Sequence, residues 1–240
     1  MAARSYGQYC GVVTALEQVG ERWSLLIVRD LLVGPRRYGD LKNGLPRIPT
    51  NILSKRLKEL QDDGVVRRVP LAHRGLVYEL TERGRALEPL MLALGEWGFG
   101  AMGDPDPDDI VTLDSMTMAF RTAFRADVAA GLPATRYEVH VGPVALNLAV
   151  EGGALRVRPV EGGPLVRVAD GDLAAEADAD LVLVCGPGIR ELIAGNVTAT
   201  EAIEAELVSV QAGDPALLAR FAQTFHLETV PAPARPGAVT

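Results

Sequence analysis

The sequence predicts an α+β chain of two domains: helices closed by a β-hairpin come first, then a smaller α+β domain with an antiparallel sheet packed by helices. Three observations carry this. At 240 residues the chain exceeds the usual size of one domain. Apolar residues recur at helical spacing before residue 103 and mostly alternate after Tyr137. Between the two patterns lies Gly103-Asp104-Pro105-Asp106-Pro107-Asp108-Asp109, a breaker-rich stretch that also marks a change of charge. Residues 1–103 carry a formal net +4 and residues 104–240 a net −11, with +6 gathered in residues 36–85. The expected boundaries are 1–103, a linker at 104–113, 114–230, and a Pro- and Ala-rich tail at 231–240 expected to be disordered.

In the first domain, Val12, Val13, Leu16 and Val19 keep helical spacing until Gly20 interrupts. Trp23, Leu26, Ile27 and Leu31 begin a second helix that Gly34-Pro35 ends. Tyr38-Gly39-Asp40-Leu41 opens a short helix closing near Gly44. Pro46 and Pro49 break the chain, and Thr50 stands where an N-cap is expected. Leu53, Leu57 and Leu60 mark one buried face of the next helix, which ends at Asp62-Asp63-Gly64. Two strand-like runs, Val65 to Val69 and Leu76 to Leu80, are joined by Ala72-His73-Arg74-Gly75 as in a hairpin. Thr81 to Gly84 then leads into a long apolar helix through Leu87, Leu90, Leu94 and Trp97. Helices, short helix, turn, helix, hairpin, helix is the order of a winged helix-turn-helix.

That order gives the basic residues a joint meaning. Opposite the leucines, Asn51, Ser54, Lys55 and Lys58 share one polar face at helical spacing. With Thr50 at its N-terminal end, such a face suits a major groove: Asn, Ser and Thr reach base edges, and Lys neutralises phosphate. Arg36 and Arg37, just before the short helix, are candidate phosphate contacts that fix register. Arg68 and Arg74 on the hairpin are candidates for backbone or minor-groove contact; Arg67 alternates with Arg68, so only one need face DNA. The competing reading is a solvated face, in which Lys55 and Lys58 pair with Glu59 and Asp62.

At these residues the chain resembles the HxlR family of bacterial transcriptional regulators, over about residues 9–100. The resemblance is carried by Tyr9-Cys10-Gly11 through Leu16, by Gly20-Glu21-Arg22-Trp23, and by Arg36-Arg37-Tyr38-Gly39-Asp40-Leu41. Leu53-Ser54-x-Arg56-Leu57-Lys58-x-Leu60 and Tyr78-Glu79-Leu80-Thr81-x-x-Gly84 continue it, while Gly11 departs from the family's usual Pro. The resemblance implies a homodimer built through the first helix and the helix around Ala86–Ala101, reading double-stranded DNA at a palindromic operator. Cys10 falls where some members carry a redox- or electrophile-sensing thiol; a small helix-packing residue is the alternative.

After the linker, Phe120, Phe124 and Val128 form a helical stripe. Tyr137, Val139 and Val141 alternate, then Val144 to Val150, then Leu155 and Val157, with turns at Gly142-Pro143 and Glu151-Gly152-Gly153, as in an antiparallel meander. Leu181 to Cys185 reads as a fully apolar strand, and Ile189 to Ala194 and Pro215 to Phe225 as helices. From Asp180 to Phe225 the chain resembles the sterol-carrier-protein type of domain, through Thr200-Glu201-Ala202-Ile203, Leu207 and Gly213-Asp214. That resemblance implies an apolar cavity for a hydrophobic small molecule, with Leu146, Leu148, Leu183, Ile193, Leu218 and Phe225 as candidate lining. The same six residues could simply fill the core.

Catalysis finds little support. His73, His140 and His226 adjoin no metal-ligand or nucleophile motif, and Cys10 and Cys185 lack CxxC spacing, so no metal, cofactor or enzymatic activity is expected. Asp170, Asp172, Asp178 and Asp180 read as a solvated loop, and Cys185-Gly186-Pro187-Gly188 as a strand-to-helix turn. Aromatics at 5% argue against a single-strand binder. With no membrane-length apolar run and no signal-like N-terminus, the expected location is cytoplasmic. The expected function is a DNA-binding regulator, a homodimeric repressor whose second domain senses an apolar molecule. The rival is a lipid-like carrier or sensor using the winged helix only for dimerisation and protein contacts, and a lipid hydrolase or transferase is a weaker third.

Overall fold

The computed structural model describes residues 5–71, 75–160 and 179–228. Two compact units divide between Met91 and Leu92. The first contains α1 (Gly11–Val19), α2 (Ser24–Val33), α3 (Tyr38–Gly44) and α4 (Thr50–Asp62), then strands β1 (Val66–Leu71) and β2 (Gly75–Leu80) and the short α5 (Glu82–Arg85). The helix α6 (Glu88–Phe99) follows. The expected long helix through Leu90, Leu94 and Trp97 is α6, which starts just after Leu87, and its lead-in is itself helical: Thr81 caps α5 by accepting from the Gly84 N–H, and a turn after Arg85 precedes α6.

Helical spacing places Ile27, Leu31, Leu41, Leu53, Leu57 and Leu60 in one core. Each such side chain contributes on the order of 1.5–3 kcal/mol when fully buried. The hairpin is antiparallel, running from Val66↔Leu80 to Leu71↔Gly75. A single residue from the α2–α3 connection extends it: Arg36 and Tyr78 exchange backbone bonds of 3.0 and 2.8 Å. The close approach at the hairpin's base requires a glycine, because a Cβ on Gly84 would lie 2.2 Å from the Val65 carbonyl oxygen.

In the second unit the chain between Phe99 and Leu113, residues 100–112, forms neither helix nor strand, as Pro105 and Pro107 demand. There follow α7 (Leu113–Ala123), α8 (Ala126–Ala129), β3 (Thr135–Val141), β4 (Val144–Glu151), β5 (Ala154–Pro159) and β6 (Leu181–Cys185). The rest are α9 (Ile189–Ile193), α10 (Ala199–Glu204), β7 (Val208–Gly213) and α11 (Leu217–Thr224). The expected stripe Phe120–Phe124–Val128 is broken, because Phe124 turns extended and bridges Phe225.

The sheet order is β5-β4-β3-β6-β7. The meander β3-β4-β5 is antiparallel as expected, but β6 lies parallel to β3, so the sheet is mixed rather than antiparallel. The long connection from Pro159 to Leu181 supplies the chain length that a parallel crossover needs, where a short turn would have forced an antiparallel return. The unbroken apolar run Leu-Val-Leu-Val-Cys belongs inside the sheet, between two neighbours, and not on an edge. Strand β7, antiparallel to β6, had no clear signature in the alternation. The α+β class and the sheet-containing second region stand.

Replacing Gly84 by Ala should destabilise the first unit by about 1–3 kcal/mol through overpacking against backbone, although alanine is the better helix former. Thermal unfolding followed by circular dichroism measures it, and a raised melting temperature would contradict the crowding.

Candidate nucleic-acid interface

The two faces of α4 separate as their spacing requires. Leu53, Leu57 and Leu60 are buried, and Asn51, Ser54, Lys55 and Lys58 are exposed on the opposite side. Thr50 is exposed at the helix start, but it is not the cap. Pro49 takes that position in extended conformation, its carbonyl accepting from the Leu53 N–H at 2.9 Å, and Thr50 is the first helical residue.

The stripe already has ionic neighbours. Lys58 reaches Asp62 at 2.7 Å and Lys55 reaches Glu59 at 3.8 Å. Exposed pairs of this spacing contribute only about 0.3–0.5 kcal/mol, little enough for a phosphate to compete.

Arg36 and Arg37 part company. Arg36 pairs with Tyr78 through its backbone, which turns its side chain inward. The residue is 1% exposed, with a guanidinium nitrogen donating to the Pro35 carbonyl at 3.0 Å. Arg36 is thus a correction to the expected phosphate contacts. Successive residues of an extended segment point opposite ways, and Arg37 is exposed beside α3.

On the hairpin, Arg67 is held by Glu79 on the neighbouring strand at 2.6–2.7 Å, while Arg68 lies 5.7 Å over the Tyr78 ring. Arg74 lies outside the described residues, as do His73, Asp170, Asp172 and Asp178.

Three residues were missed as parts of this surface. The Tyr38 hydroxyl donates to the Thr50 carbonyl at 2.8 Å and stands 3.2 Å from the Ser54 hydroxyl, tying α3 to the start of α4. Its signal was an aromatic with a polar tip opening a helix. Lys42, which donates to the Pro46 carbonyl, and exposed Arg47 add cations to the turn between α3 and α4.

A family model for HxlR-like helix-turn-helix proteins matches residues 18–104. YvaP of Bacillus subtilis, named an uncharacterised HTH-type transcriptional regulator, is 38% identical over 85 residues, covering 35% of this chain and 79% of that protein. The chain belongs to this HxlR-like family. YdzF of the same organism, named likewise, is 40% identical over 93 residues, covering 38% of this chain and 84% of its own. The solved reduced form of the transcriptional regulator YodB from B. subtilis is 30% identical, over 41% of this chain and 100% of that one, at a TM-score of 0.35. Membership of the HxlR-like family supports DNA binding and transcription regulation, and points away from an enzyme.

The other candidate residues lie elsewhere. Leu146, Leu148, Leu183, Ile193, Leu218 and Phe225 converge in one buried cluster of the second unit. Phe221 and Phe225 pack there with ring centroids 4.8 Å apart, and the buried Tyr137 lies 5.2 Å from Phe221. Among the described residues no cluster of His, Cys, Asp and Glu suits a metal ion, and no helix is long and apolar enough to cross a membrane.

The two thiols differ in kind. Cys10 is exposed at the N-terminus of α1, where the backbone N–H groups of Val13 and Val12 lower its pKa. Cys185 is buried in β6, and loss of hydration pushes it up to about 12. Iodoacetamide at pH 8 should therefore alkylate Cys10 and spare Cys185 while the protein is folded, and both once it is denatured. Peptide mass mapping reads the outcome, and equal labelling in the native state would contradict the burial.

Proposed function

We propose that the protein is a homodimeric, sequence-specific repressor whose recognition helix is α4 and whose second domain responds to an apolar small molecule. The observation that carries the reading is the exposed polar stripe Asn51–Ser54–Lys55–Lys58 on a helix whose opposite face is buried. Thr50 and Asn51, at the N-terminal end, read base edges. Lys55, Lys58, Arg37 and Arg68, with Arg74 on the hairpin, contact phosphates. Arg36 serves the fold instead.

Two apolar helices support the dimer. Along α1, Val12 and Leu16 are exposed and only Val19 is buried. Along α6 no residue is fully buried, and Trp97 is 78% exposed. Apolar surface left open on this scale marks an interface, and a two-fold pair would read a palindromic operator. The domain organisation we propose is 1–103 for DNA and dimer, 104–113 as linker, 114–230 as the sterol-carrier-like sensor and 231–240 as tail. A ligand with different affinity for the binding and non-binding states would shift their populations. Modification of the exposed Cys10 thiol, beside α1, is a second input acting on the same dimer.

Duplexes enriched by the protein from a random pool supply the test. Affinity should fall with salt at a log–log slope of about −0.9 for each phosphate neutralised. Lys58→Ala should flatten that slope by about 1 per bound copy, and Asn51→Ala should lose about 1–3 kcal/mol of discrimination. Salt-insensitive binding would refute the phosphate contacts. In sedimentation, the wild type should run as a dimer and a Leu16→Glu, Trp97→Glu variant as a monomer; a monomeric wild type would remove the two-fold reading.

A further inference from the structure

Arg56 gathers three side-chain hydrogen bonds, and burying the leucines of α4 requires none of them. It sits at the edge of the leucine face, with its side chain 9% exposed. Nε donates to the Arg22 carbonyl at 3.2 Å, one terminal nitrogen donates to Glu21, and the other to Glu59. Glu59 belongs to α4 itself, whereas Glu21 and Arg22 form the corner between α1 and α2.

That corner is tightly turned. A Cβ on Gly20 would stand 2.4 Å from the Leu16 carbonyl oxygen, and Trp23 is held at a φ of 81°. The Arg22 guanidinium covers the Trp23 ring at 5.1 Å. Arg56 therefore ties α4 to the tight corner between α1 and α2.

Apolar burial is non-directional, so the leucines hold α4 down while tolerating some roll about its axis. A planar guanidinium with its donors in a fork does not tolerate it. We infer that Arg56 is a positioning residue: through Glu21 and the Arg22 carbonyl it fixes the rotation of α4, and so which of Asn51, Ser54, Lys55 and Lys58 meet base edges. The inference rests on the DNA-reading assignment above. Hydrogen bonds to base edges depend on angle far more than phosphate neutralisation does. Loss of Arg56 thus strikes sequence discrimination and spares the electrostatic part.

The test compares the full chain with Arg56→Gln, Arg56→Lys and Glu21→Gln on a duplex selected by the wild type and on a shuffled duplex of equal length, over a salt series. Arg56→Gln should cut the ratio of the two affinities by about tenfold and leave the salt slope on the shuffled duplex unchanged. Arg56→Lys, a charge without the fork, should fall between, and Glu21→Gln should cost about threefold. A purely structural role would instead lower both affinities together, in step with the folded fraction from circular dichroism; that result overturns the inference. So does an Arg56→Gln protein that is folded and discriminates as the wild type does. Should Arg56→Gln fail to fold, Glu21→Gln decides, since its side chain is 30% exposed: an unchanged ratio overturns the inference and a reduced one supports it. A wild type that enriches no sequence refutes the DNA-reading assignment and this inference with it, whereas a discriminating wild type beside an equally discriminating variant refutes the inference alone.

Discussion

Everything in the first unit turns on one constraint: a single helix must satisfy an oily interior and water at once. Leu53, Leu57 and Leu60 take the interior, and by helical periodicity Asn51, Ser54, Lys55 and Lys58 are driven to the outside. Neighbouring elements then tie the helix down at polar points. Tyr38 bonds its first turn, and Arg56 bonds the corner before α2. Hydrophobic burial supplies the adhesion, while hydrogen bonds from a phenol and a guanidinium supply direction. A surface that distinguishes one partner from another needs both, because adhesion alone does not specify an angle.

Much of this was legible in the sequence because it depends on near neighbours along the chain. The leucine spacing gave the inner face of α4, Gly34-Pro35 gave the end of α2, and the Val65–Leu80 segment gave the hairpin. What was not legible depends on partners far away in sequence. Arg36 and Arg37 are equivalent to any local rule, yet the bridge to Tyr78 sends one inside and leaves the other out. Arg56 matches its neighbours in charge and helix propensity, and only the fold reveals Glu21, thirty-five positions earlier, as its partner. Thr50 was misplaced by one residue, a small shift with a local cause, since Pro49 is already extended and supplies the first accepting carbonyl.

The second unit shows the same division. Alternation in Tyr137–Val141 and Val144–Val150 translates directly into one buried face. The direction of β6 does not follow from its composition: an apolar run says that a strand is interior, not which way it runs. Phe225 likewise reads as the end of an amphipathic helix, yet it meets Phe120, Phe124, Tyr137 and Phe221 in the aromatic centre of the core.

The parallel pairing of β3 with β6 also sets a timetable. The meander β3-β4-β5 joins segments adjacent along the chain, but Tyr137 must wait for Leu181, and the aromatic centre must wait for Phe225. Closing such long loops is entropically costly and slow. During synthesis the core around Leu53 has all its strands and helices once Met91 has emerged, whereas the sheet stays incomplete with β3 exposed along one edge. An unpaired edge invites pairing with other chains, so the nascent second unit, rather than the first, is the part of this protein most exposed to aggregation on the ribosome.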